Sequence, residues 1–115
     1  MRNDKDNLIV NLTFEFALEI VKFSEELDSQ RKFVFAKQIL RSGTSIGANV
    51  REAQNAESKS DFIHKLKIAA KGADETEYFL MLCKHSEGHP YNEELEFKLN
   101  SIIKILSKII ATSKA

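Results

Sequence analysis

The sequence is poor in the residues that break or cross-link a chain. Its 115 residues include one cysteine, one proline and four glycines. A single cysteine excludes a disulfide within the chain and favours a reducing compartment. No apolar run approaches the roughly 18 residues that a transmembrane helix needs, and the charged first residues are unlike a signal peptide. We therefore expect one cytoplasmic domain over residues 1–115, with no membrane partner.

Excess charge of either sign is also lacking. Lysine and arginine together number 17, as do aspartate and glutamate, so the formal net charge is zero. This balance argues against a protein whose main role is to wrap nucleic acid electrostatically, although it leaves room for a local basic patch.

Hydrophobic residues at helical spacing dominate the rest of the sequence, and no alternating strand pattern of useful length is present. The spacing predicts four helices, at roughly 7–27, 32–55, 59–85 and 91–113. Ser58 with Asp61 resembles a capping box at the third helix, and Gly88 and Pro90 mark its end. Short connections indicate an all-α, up-down-up-down antiparallel four-helix bundle. The fourth helix is apolar on more than one side, which predicts burial in an oligomer.

The second helix contains two glycines, Gly43 and Gly47, on one flank. Each costs about 1 kcal/mol relative to alanine inside a helix, so we expect another backbone to approach there. The small residues of 69–73 favour helix three as that neighbour. A polar row lies beside this flank, and Glu77 on helix three needs a partner such as Arg41, Ser45 or Asn49 if it is partly buried. The predicted packing and polar-network residues are Arg41, Ser42, Gly43, Ser45, Gly47, Asn49, Glu52 and Glu77.

Three patterns resemble catalytic or metal sites, and each lacks an essential part. Residues 43–47 match G-x-S-x-G, but a nucleophile elbow needs a preceding strand. Asp61 and His64 approximate one half of a di-iron motif with no second copy. Cys83, His85 and His89 have only a weak metal-ligand spacing, and Cys83 lies on an apolar seam. We therefore predict no catalytic, cofactor or metal residues, no small-molecule substrate and no enzyme activity.

Nucleic-acid binding is the alternative that the basic residues leave open. Lys37 with Arg41, and Lys67 with Lys71, are spaced by one helical turn and could meet phosphates. No aromatic residues interleave with them to stack on bases. The candidate contacts are Lys37, Arg41, Arg51, Lys65, Lys67 and Lys71.

Five segments together resemble one known family over nearly the whole chain. They are Phe14–Ala17, Gln38–Val50, Glu52–Ala53, Asp61–Leu66 and Glu75–Tyr78. The chain resembles the bacterial four-helix bundle family, also known as the 23S ribosomal RNA intervening-sequence proteins. The RSGTSIGAN run is the most distinctive part of the match.

The resemblance implies a bundle that assembles as a ring-like homopentamer with no known enzymatic activity. Some members are encoded within insertions in ribosomal RNA genes. A related group serves as nucleic-acid-binding accessory proteins of diversity-generating retroelements, and those relatives are strongly basic. We expect a non-enzymatic, self-assembling binding or scaffold protein. An RNA- or DNA-binding accessory protein, with basic helix faces repeated around the oligomer, is the second hypothesis.

Overall fold

The computed structural model describes residues 7–114. These residues form four α-helices and no strand: α1 (Leu8–Ser29), α2 (Phe33–Ala53), α3 (Lys59–His85) and α4 (Glu93–Lys114). The all-α prediction is confirmed. None of the four helices is long and apolar enough to cross a membrane.

Each helix packs against two others, so the helices stand at the corners of a square. α1 contacts α2 and α4, α3 contacts α2 and α4, and the diagonal pairs bring no Cα atoms within 8 Å of each other. Neighbours run antiparallel. The amide of Asn7, at the start of α1, donates to Gln54, just after the end of α2, and Lys98 of α4 binds Glu19 of α1 at 2.6 Å. The bundle measures 45 × 22 × 20 Å.

The core is built from the predicted 3-4 repeats. Each helix contributes large side chains that are almost fully shielded from water, and their burial is the main favourable term in folding. They are Phe16, Ile20, Leu27, Ile39, Ile46, Val50, Leu66, Leu80, Leu95, Leu99, Ile102 and Leu106.

Side-chain caps begin α1, α3 and α4. The Ser58 hydroxyl accepts a hydrogen bond from the Asp61 N–H at 3.0 Å, which confirms the predicted cap of α3. The Asp61 carboxylate accepts from the Glu57 N–H at 3.2 Å, one residue earlier than a standard capping box. Asn7 and Asn92 accept from the N–H groups of Val10 and Leu95 in the same way.

The α1–α2 turn is tighter than the sequence predicts, because α1 extends to Ser29. The Lys32 N–H donates to the Leu27 carbonyl at 2.8 Å, and the Arg31 N–H donates to the Asp28 carbonyl at 2.9 Å. These two bonds define a Schellman motif, in which glycine usually occupies the left-handed position. Arg31 holds it here with φ 66°. At the end of α3, Gly88 is left-handed as its residue type indicates, with φ 79°.

Most of the exposed apolar surface lies on α1 and α2, whereas the sequence predicts a surplus on α4. The extra isoleucines of α4 (residues 103, 105, 109 and 110) are half-buried against the bundle's own core. Among residues 7–114, seven of the ten exposed large hydrophobic side chains belong to α1 and α2 instead: Leu8, Phe14, Leu18, Val21, Phe33, Val34 and Leu40. Part of the apolar breadth of α4 therefore covers the bundle's own core, and burial of α4 in an oligomer stays a prediction.

Candidate functional site

Both flanks of α2 are filled, and the glycines lie on the flank that faces α1. A Cβ on Gly43 would lie 2.8 Å from two side-chain atoms of Ile20, and a Cβ on Gly47 would lie 3.2 Å from the Thr13 carbonyl oxygen. The close approach predicted from these glycines is present. The predicted neighbour, α3, is wrong, because a helix in a square bundle has two neighbours and the sequence pattern does not distinguish them.

The small residues of α3 meet hydroxyl residues of α2. A Cβ on Gly72 would lie 2.5 Å from the Ser45 hydroxyl oxygen and 3.4 Å from the Ser42 carbonyl oxygen. The Thr76 hydroxyl is fully buried, 2.9 Å from the Ser42 hydroxyl and 2.7 Å from the Gly72 carbonyl oxygen. A threonine hydroxyl has one proton, so when it donates to the Gly72 carbonyl it accepts from Ser42.

This polar seam continues along α2. The Ser45 hydroxyl donates to the Ser42 carbonyl at 2.7 Å, and the Asn49 amide donates to the Ser45 carbonyl at 2.8 Å. Ser45 lies inside an unbroken helix with its hydroxyl bound to backbone, so residues 43–47 form no nucleophile elbow. The seam follows the antiparallel packing of the two helices, with Ser42 opposite Thr76 and Ser45 opposite Gly72; that it sets their register stays a prediction.

Two ion pairs flank the seam. The Arg41 guanidinium binds Glu75 and also donates to Gln38, while Lys65 binds Glu52 at 3.1 Å. Glu77 is the exception among the predicted network residues. It is half-buried, but its side chain forms no hydrogen bond or ion pair with any residue from 7 to 114. It lies two turns from Lys84, which pairs with Glu96 of α4, so it belongs to the α4 side of α3. Glu75 is the acidic partner of Arg41 instead.

The six basic candidates do not form one surface. Arg41 and Lys65 are neutralised in the two ion pairs, and Lys67 and Lys71 are exposed on α3. Lys37 and Arg51 belong to α2 and line clefts between α1 and α2. The structure places Lys114 of α4 close to Lys67, and sequence spacing gives no signal for that contact.

The structure does not bring Cys83, His85 and His89 together as a set of metal ligands. No cluster of three or more potential ligands exists within the described part of the chain. Cys83 is buried among apolar side chains, and this burial raises the pKa of its thiol to about 11. At neutral pH it is a protonated, unreactive core residue. His89 packs its ring against Phe35 with the centroids 4.6 Å apart.

One open feature of the surface is an apolar groove. It lies between α1 and α2 and has a volume of about 420 Å³. Its lining residues are Val10, Asn11, Phe14, Ala17, Thr44, Gly47, Ala48 and Arg51. Phe14 stands at its edge with 59% of its surface exposed. A second cleft continues between the other ends of α1 and α2, with Phe33, Ala36 and Leu40 in its wall. We call the surface formed by these two clefts the α1–α2 face.

Comparison with known proteins agrees with this architecture. Residues 5–111 match the family described as 23S rRNA-intervening sequence protein. The chain belongs to this family. A crystal structure of a protein of unknown function from the S23 ribosomal protein family, from Bacteroides thetaiotaomicron VPI-5482, is 47% identical. It superposes with a TM-score of 0.84, and the match covers 89% of this chain and 97% of that one. No curated protein matches the sequence.

Proposed function

We propose that this protein is a non-enzymatic binding or scaffold module that assembles with copies of itself through the α1–α2 face. The observation that carries the proposal is the concentration of exposed apolar side chains on α1 and α2. Three of them, Phe14, Phe33 and Leu40, line the two clefts of this face. Exposed apolar patches mark interaction sites, because leaving them in water forgoes the free energy of burial.

A second copy fits the size of this face. One long side of the bundle, 45 Å by 22 Å, offers roughly 1,000 Å², and a standard interface buries about 800 Å² on each partner. The first cleft is lined mostly by apolar side chains with Arg51 among them, and the second combines apolar side chains with the charged Glu25, Asp28 and Lys37. Apolar contact area combined with charged groups is typical of protein interfaces.

A ring needs a second, different face on each subunit, because head-to-tail contacts join unlike surfaces. The square arrangement puts α3 and α4 opposite α1 and α2, and these helices expose Tyr78, Met81 and Phe97. Phe97 is the most exposed large apolar side chain, at 73%. We propose that the two sides pair between subunits in a ring-like homopentamer, the assembly that the family resemblance implies.

The test is the mass of the assembly in solution. Sedimentation at micromolar concentration should give an oligomer for the wild type, and Phe14→Asp should shift it strongly towards monomer. Val34→Asp is the matched control: Val34 is equally apolar and exposed on α2, but it does not line the α1–α2 face. Circular dichroism would check that both variants stay helical. A monomeric wild type would refute self-assembly, and an oligomer unchanged by Phe14→Asp would refute this interface.

RNA or DNA binding is the second candidate function. The observation that favours it is that four of the six basic candidates make no ion pair with residues 7–114: Lys37, Arg51, Lys67 and Lys71. Repetition around a ring would multiply weak phosphate contacts. A titration with RNA and with DNA at two salt concentrations tests it, since counterion release requires affinity to fall with salt. Negligible affinity at low salt would exclude this function.

A further inference from the structure

A basic cleft lies where the start of α3 meets the end of α4. It has a volume of about 620 Å³, and its lining residues are Lys59, Ser60, Ile63, His64, Lys67 and Lys114. Three are lysines, one is a histidine and one carries a hydroxyl. None of these six is a carboxylate, so the lining described here supplies no anion of its own.

The contact between Lys67 and Lys114 is unusual for surface lysines. Hydrogen-bond contact with Lys114, followed by its positive charge, lowers the pKa of Lys67 below its usual value, and Lys71 adds to the effect. Lys98 provides the contrast within the same bundle. It binds Glu19 at 2.6 Å and Glu94 at 3.3 Å, and hydrogen bonding to Glu19 is the largest cause that raises its pKa.

Two ammonium groups in contact repel each other unless an anion lies between them. A phosphate group suits this position, because its oxygens can accept from both ammonium groups at once. The Ser60 hydroxyl can supply a further donor from the cleft wall. Lys59 already has a contact of its own, so the argument rests on Lys67 and Lys114.

We propose that this cleft binds a phosphate group through Lys67, Lys114 and Ser60. The group belongs either to a nucleic-acid backbone or to a small phosphorylated molecule. Binding of a nucleic-acid phosphate would rest on the second candidate function above, RNA or DNA binding, and would assign it a site. Binding of a small phosphorylated molecule would be independent of that function. Neither depends on self-assembly.

The experiment has two arms on the full chain. In the first, inorganic phosphate is titrated and the backbone amide resonances are followed by NMR. In the second, binding of a fluorescently labelled single-stranded RNA is measured at two salt concentrations. Both arms use the wild type, Lys67→Gln, Lys114→Gln and the control Lys104→Gln. Lys104 is exposed on α4, makes no ion pair with described residues and does not line the cleft.

In the phosphate arm, the resonances of residues 60, 64 and 67 should shift in the wild type and in Lys104→Gln. The two cleft variants should bind phosphate about tenfold more weakly, the loss expected for one charge-assisted hydrogen bond. If RNA is the source, each cleft variant should also reduce the slope of log affinity against log salt by about 1. Localised phosphate shifts with unchanged RNA binding would assign a small phosphorylated ligand.

Phosphate shifts that are absent or scattered, or cleft variants that match Lys104→Gln in both arms, would overturn the proposal. Measuring the assembly mass of each variant keeps this outcome separate from a failure of self-assembly. If both cleft variants still bind RNA and phosphate causes no localised shifts, the protein binds nucleic acid at another surface and this cleft is not the site.

Discussion

The two sides of α2 hold their neighbours by different means. Towards α1, Gly43 and Gly47 remove side chains so that Ile20 and the Thr13 backbone come close. Towards α3, the Ser42 and Thr76 hydroxyls share one hydrogen bond in a buried seam, and exposed ion pairs flank it. The contact with α1 depends on close packing of side chains, and the contact with α3 depends on the geometry of hydrogen bonds.

The difference has consequences for how each interface tolerates change. A closely packed contact is destabilised when side-chain volume is added, because a packed core relaxes only partly. A hydrogen-bonded seam fails when one partner is removed, because the other remains buried without a bond. The first kind fixes how close two helices lie, while the second also fixes their register.

The largest effect should come from adding volume on the α1 side. Gly43→Val places carbon atoms where Ile20 now lies, and Ile20 is fully buried. We expect a loss of about 3 kcal/mol in the free energy of unfolding, measured by urea denaturation. Ile20→Ala makes room at the same point, so Gly43→Val should cost much less in that background. An equal cost in both backgrounds would mean that helix propensity, rather than the contact with Ile20, sets the penalty.

A smaller effect should come from the seam. Thr76→Val keeps the shape but leaves Ser42 without its hydroxyl partner, and we expect a loss of about 2 kcal/mol on urea denaturation. Adding Ser42→Ala removes the orphaned hydroxyl, so the double variant should recover part of that loss. If the two substitutions are simply additive, the seam is two independent side chains and not a network.

The smallest effect should come from the ion pairs. Both Arg41 and Glu75 are substantially exposed, at 57% and 38% of their side-chain surface. Arg41→Ala should therefore cost less than about 1 kcal/mol on urea denaturation, and salt should shrink the difference from wild type. Lys65→Ala, which breaks the pair at the other end, is the matched comparison. A cost above 2 kcal/mol for Arg41→Ala alone would place Arg41 in the structural network.

Much of this architecture follows from local patterns. Spacing alone predicts the four helices to within two residues at most ends, since burial of one helical stripe is a property of the segment. The cap at Ser58 and the end of α3 before Gly88 are predicted for the same reason, because both depend on residues that are close in sequence. Arg31 in a left-handed position has no such signal, because arginine carries no preference for it.

The partners of the site residues are less predictable. The interior glycines correctly indicate a close approach, but their neighbour is α1, and the carboxylate that binds Arg41 is Glu75 and not Glu77. Residues one or two positions apart in a helix can face different neighbours, so a periodic pattern predicts the buried stripe but not which helix packs against it. Gly72 and Thr76 become site residues only when α3 is docked in register.

The sequence by itself determined the helical class, the four segments and their core stripes, because these depend on spacing along one chain. The tertiary structure decided which helix faces which flank of α2, and that the spare isoleucines of α4 cover the bundle's own core. It also decided that exposed apolar surface remains on α1 and α2, and that Lys67 meets Lys114. These features arise from contacts between residues far apart in sequence, and helical periodicity carries no information about such distances.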